Sequence, residues 1–121
     1  MDEAGRQKNR YVERQVLDVL NERVAQRQPI TYGDLTERVT ARRFMPNDRA
    51  LETLLSRLST QSHKQGLGMI SAVVVNKGSK IPGDGFFTLA ERLGHSVGHN
   101  PKAFHEKELE KVYAASSNEG S

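Results

Sequence analysis

The sequence predicts a mainly helical α+β domain, and three observations carry that expectation. Apolar residues recur every three to four positions over several segments, one stretch alone is rich in β-branched residues, and Gly, Pro and Asn clusters separate the segments. A chain of 121 residues fits one domain better than two. With 36% apolar and 27% charged residues, it holds enough apolar surface for a single modest core.

The opening MDEAGRQKN has almost no apolar side chain, so residues 1–9 are expected to be frayed or disordered. From Arg10, the residues Val12, Val16, Val19, Leu20 and Val24, flanked by Tyr11 and Leu17, describe an amphipathic helix. It must stop before Pro29, which pushes its predecessor out of the α region. Gln28 to Tyr32 then make a short extended stretch, in which Pro29 is tolerable only at an edge or a strand start. Thr31 with Asp34 three residues on resembles a capping box and opens a second helix at Tyr32, with Leu35 and Val39 inside.

After a connector from Thr40 to Asn47, either Asn47 or Asp48 caps a third helix. There Ala50, Leu51, Leu54, Leu55 and Leu58 give the cleanest helical period in the chain, running to about Lys64. The β-branched run from Met69 to Val75 predicts a strand, and Asn76 to Lys80 a turn. Phe86, Leu89, Ala90 and Leu93 fit a helix up to Gly94, while Phe86 to Thr88 also suits a return strand; the expectation adopted is a short antiparallel return strand running into a two-turn helix. Pro101 opens a last helix with Phe104, Leu109, Val112 and Tyr113 inside and His105, Glu106, Lys107, Glu108, Glu110 and Lys111 in water. The expected core is Val16, Leu20, Leu35, Leu51, Leu54, Leu55, Leu58, Val73 and Leu89. Residues 10–114 make one domain, and 115–121 are expected to be a disordered tail.

Composition narrows the function classes. No apolar run approaches the length of a membrane span and the first thirty residues lack a signal-peptide core, so a soluble, cytoplasmic chain without membrane contact is expected. The absence of cysteine excludes disulfides, thiol catalysis and Cys-ligated metals. The formal charge of +3 is unevenly placed. Twelve Lys/Arg stand against nine Asp/Glu from Met1 to Lys64, and six against six from Gln65 to Ser121, so the whole excess lies in the first half.

The element order, carried by PITYGDLTERV, NDRALETLLSRLSTQSHKQG and MISAVVVNKGSKIPGDGFF, resembles a winged helix–turn–helix domain from Arg10 to about Thr88, with additional C-terminal helices after it. The connector from Thr40 to Asn47 is longer than the tight turn of a minimal helix–turn–helix. The segment ISAVVVNKGSKIPGDGFFTLAERLG with the late HEKELEKVYA also resembles an arrangement that recurs in small proteins of actinobacteria and their phages, which implies no activity.

The winged-helix resemblance implies a non-enzymatic regulator that binds double-stranded DNA, and the third helix has side chains suited to it. Arg49, Thr53, Ser56, Arg57, Thr60, His63 and Lys64 project away from the leucines, and no acid falls on that face. Arg49 and Arg57 suit bidentate bonds to guanine, while Thr53, Ser56 and Thr60 can donate or accept. Arg42, Arg43, Lys64, Lys77 and Lys80 are the expected phosphate contacts. Winged-helix proteins commonly dimerise through terminal helices, so a homodimer is expected. The competing readings are a plain solvated face and a small protein-binding module, such as a phage or host-defence factor.

Other chemistries find no support in the residues. His95, His99 and His105 are spaced for zinc only superficially, because Gly94 and Gly98 argue against the helix that would align them, so no metal site is expected. Neither Lys77–Lys80 nor Gly83–Gly85 forms a phosphate-binding motif between strand and helix, and no serine has a nucleophile context. No catalytic residue and no cofactor is expected.

Overall fold

The computed structural model describes the backbone of residues 3–45 and 48–119 and the side chains of 10–45 and 48–116. Asn47, one of the two expected caps, lies outside the described residues, as do the extreme ends 1–2 and 120–121. The described residues form five α-helices and a two-stranded sheet: α1 (Glu3–Gln26), β1 (Ile30–Thr31), α2 (Tyr32–Arg38), α3 (Arg49–Lys64), β2 (Val74–Val75), α4 (Asp84–Arg92) and α5 (Pro101–Glu119). A 3₁₀ segment at Ile70–Val73 precedes β2. The helical assignment therefore extends over 3–9 and 115–119, which were expected to be disordered.

Helix α1 turns Val12, Val16, Val19, Leu20 and Val24 into the core, as its period requires. It ends at Arg27, in the left-handed region at φ 54°, with the Gln28 N–H donating back to the Arg23 carbonyl at 3.0 Å. Thr31 caps α2 through an Asp34 N–H···Oγ1 bond of 3.1 Å, and Asp48 caps α3 through the Ala50 N–H at 2.9 Å. Both caps stand where the sequence puts them. On α3, Leu51, Leu54, Leu55 and Leu58 are all buried. Of the nine expected core residues, eight are buried, and Leu89 is partly so within a second cluster around Met69, Ala72, Phe86 and Ala90.

Among the described residues the expected antiparallel hairpin is absent. β1 and β2 pair in parallel, Ile30 with Val74 and Thr31 with Val75, and two helices cross between them. Most of the Met69–Val75 run is not strand, because its amide hydrogens find other acceptors. The Met69 N–H donates to Glu108 Oε2 at 2.8 Å, Ile70 N–H to Ser62 Oγ at 3.0 Å, Ser71 N–H to Ser59 Oγ at 2.8 Å and Ala72 N–H to the Met69 carbonyl at 2.9 Å. Side chains of α3 and α5 thus replace a neighbouring strand, and burial on all sides explains the apolar run.

The return strand at Phe86–Thr88 is corrected as well. Those residues lie inside α4, where Phe86 and Ala90, one turn apart, are buried. Asn76–Lys80 remains a turn, closed by Lys80 N–H to the Asn76 carbonyl and Asn76 N–H to the Ile81 carbonyl, both at 2.9 Å.

Helix α5 departs most from expectation. His105 and Glu108, expected in water, are 4% and 3% exposed. The His105 ring nitrogen Nε2 lies 2.7 Å from the Ala72 carbonyl, and Glu108 holds the Met69 N–H. Val112 and Tyr113 join the main core alongside α1. The last helix therefore packs against the first within one chain.

Candidate nucleic-acid interface

Where the N-terminal half of α3 meets the connector and α1, three segments form a groove of about 660 Å³. The connector is fastened there by Gln15 of α1. Its Oε1 accepts from the Thr40 and Ala41 N–H groups at 2.9 Å, and its Nε2 donates to Thr40 Oγ1 at 2.8 Å. Phe44 then tucks into the core, 5% exposed, and the Arg42 guanidinium lies 4.8 Å from the centre of its ring.

Arg42, Arg49 and Arg57 line this groove together with Arg10. Arg49, Thr53 and Arg57 follow one another at four-residue intervals, so the helical repeat sets them in a row about 6 Å apart. Glu13 is the one acid of the lining, and it stands 3.9 Å from Arg57. Both side chains are substantially exposed, so water screens the pair and leaves Arg57 available to a stronger anion. Four arginines against one glutamate leave three positive charges, as many as the formal excess of the whole chain. Among the described residues, no ion pair engages Arg10, Arg42 or Arg49.

The other expected contacts are not gathered there. Ser56 lies on the opposite flank of α3, in a second cavity of about 280 Å³ bordered by Tyr32, Glu52, Ser71, Asn76 and Asp84. Thr60 donates its hydroxyl to the Ser56 carbonyl at 2.8 Å, one turn back along its own helix. Lys64 is exposed at the end of α3, and Arg43 is exposed on the connector outside the groove lining. Lys77 and Lys80 are exposed in the turn that starts at Asn76, which borders the second cavity rather than the groove.

That second cavity has the opposite character. The Tyr32 hydroxyl accepts from the Gly83 N–H at 3.0 Å. Burial pushes its pKa above the usual phenol value, the Gly83 bond opposes this, and Glu52 adds to it. A side chain at Gly85 would collide with the Glu52 carboxylate, so glycine is what lets Glu52 lie over the start of α4. The polar face of α3, read in sequence as free of acids, is therefore bordered by a groove lined with arginines on one flank and by a cavity lined with acids on the other.

Arg10, Glu13 and Phe44 are the groove residues the sequence does not single out. Arg10 was readable only as the start of α1, and Phe44 only as part of a connector. Compared with known proteins, the chain matches no family model, and no curated protein or solved structure is significantly similar to it. Among the described residues no helix is long and apolar enough to cross a membrane.

Proposed function

We propose that this chain is a non-enzymatic, DNA-binding regulator with a helix–turn–helix order of elements that grips double-stranded DNA through its arginine groove. The observation that carries the reading is the convergence of Arg10, Arg42, Arg49 and Arg57 from three separate segments on one groove. Guanidinium groups bind phosphate oxygens in a planar, bidentate way that lysine does not match. The order α2, connector, α3 supports the reading too, since helix–turn–helix proteins use the N-terminal residues of the second helix for base edges. In this arrangement Arg49, Thr53 and Arg57 face the bases, and Arg10 and Arg42 hold the backbone. Lys77 and Lys80, remote from the groove lining, carry at most a peripheral share.

Exposed Tyr11 and Met45, 69% and 61% accessible, adjoin groove residues in the chain and favour a protein partner as the second reading.

Fluorescence anisotropy with duplex DNA at several salt concentrations separates the two. Each groove phosphate contact contributes a slope of about 0.9 in log affinity against log salt, so Arg42→Ala should flatten the slope by roughly one contact, whereas Arg57→Ala should relax base preference at one position by about 1–3 kcal/mol. Lys77→Ala should leave the slope nearly unchanged. Absence of binding at low salt overturns the DNA reading, and a partner retained at high salt supports the protein one.

A further inference from the structure

The four histidines of the chain fall into different settings. His105 is buried against the Ala72 carbonyl, and His99 is exposed in the loop after α4. His63 and His95, thirty-two residues apart in sequence, are brought together: His63 Nδ1 lies 3.4 Å from His95 Nε2, and the rings stand edge to face at 72°.

That separation is long for a hydrogen bond between ring nitrogens, which settles closer to 3 Å. It is the separation expected of two ligands on one tetrahedral ion, since bonds of about 2.0–2.1 Å at the tetrahedral angle place two nitrogens roughly 3.3–3.4 Å apart.

Both imidazoles are mounted on fixed supports. His63 sits in the last turn of α3, whose leucines are buried. His95 occupies the second position past the cap of α4, where its N–H donates to the Ala90 carbonyl at 3.0 Å while Gly94, at φ 97°, donates to the Glu91 carbonyl at 3.1 Å. These paired bonds make a Schellman motif, so the backbone at His95 is held by the helix end rather than by a free loop. Phe104 of α5 lies against the His95 ring at 5.4 Å, which limits its rotation. Both side chains are half-buried, leaving one side of the pair open to water.

We propose that His63 and His95 form a two-histidine site for a divalent transition-metal ion of the zinc, nickel or copper class. Imidazole nitrogen suits these ions, and water fills the remaining positions, because no cluster of three or more metal-ligating side chains occurs among the described residues. An ion here would tie the end of α3 to the end of α4. The site is independent of the arginine groove.

The test uses the untagged full chain. Zn²⁺ titrated by calorimetry, and Co²⁺ followed by its visible ligand-field absorption, should each show one ion per chain. His63→Ala and His95→Ala should each weaken binding at least tenfold, and His99→Ala should leave it within twofold of the unaltered protein. In the unaltered protein, Zn²⁺ should shift the ring proton resonances of His63 and His95 and leave those of His105 in place, a readout that holds even if a variant fails to fold. Absence of binding to both Zn²⁺ and Co²⁺, or binding that the His99 replacement weakens as much as the other two, overturns the proposal. No DNA enters the measurement, so its failure leaves the groove reading untouched.

Discussion

Replacing Glu108 tests whether α5 is held to the body by one buried carboxylate. Its Oε2 accepts the Met69 N–H at 2.8 Å while Oε1 lies 3.6 Å from Lys111 Nζ, and both Glu108 and Met69 are almost fully buried. Glu108→Ala leaves the Met69 amide without an acceptor in a place water does not reach, and the loss of a charge-assisted bond to a buried donor costs about 2–3 kcal/mol. At roughly 0.25 kcal/mol of unfolding entropy per degree for a chain of this length, the expected fall in Tm is about 8–12 °C. Glu108→Gln keeps an oxygen at the same place and gives up only the charge, so its cost should be about 1 kcal/mol. Urea unfolding followed by circular dichroism measures both. Equal losses for the two variants, or a loss below about 1 kcal/mol for the alanine, would refute the view that this bond fixes the 3₁₀ segment.

Two glycines should respond in opposite ways to alanine. Gly68 has φ 82° and room for a Cβ only 3.0 Å from Val112, so Gly68→Ala should destabilise by about 1–2 kcal/mol. At Gly85 the obstacle is the end of an exposed glutamate that can swing away, so the helical preference for alanine prevails and Gly85→Ala should equal or exceed the parent in urea unfolding. Burial raises the Tyr32 and Tyr113 hydroxyls above the unfolded value near 10, so the folded state holds its protons more tightly. That contribution to stability is complete below about pH 10 and declines as pH rises towards the folded values, and Tyr32→Phe should make the decline shallower in unfolding measured across alkaline pH.

The parts of the fold that depend on neighbours in sequence were legible. The period of Leu51, Leu54, Leu55 and Leu58, the caps at Thr31 and Asp48 and the stop ahead of Pro29 are local, and the structure places each of them as read. The Met69–Val75 run misled because a short apolar stretch looks the same whether its amides meet a strand or the side chains of Ser59, Ser62 and Glu108. For the same reason His105 and Glu108 read as water-facing: a polar residue declares its burial only through a distant partner, here Ala72 and Met69. Of the candidate contacts, Arg42, Arg49, Thr53 and Arg57 do line one groove. Ser56 fell to the other flank because at helical spacing it lies only about 100° from Arg57, enough to cross the ridge between two depressions.

The parallel pairing of β1 with β2 bears on how the chain reaches its native state. A hairpin can zip up from its turn, but these two strands meet only after α2, the connector and α3 have been laid between them. The loop-closure entropy of that whole intervening segment must be met before Ile30 touches Val74. The topology predicts that the sheet forms after the helices assemble, so Ile30→Ala or Val74→Ala should raise the unfolding rate far more than it lowers the folding rate in a chevron measurement.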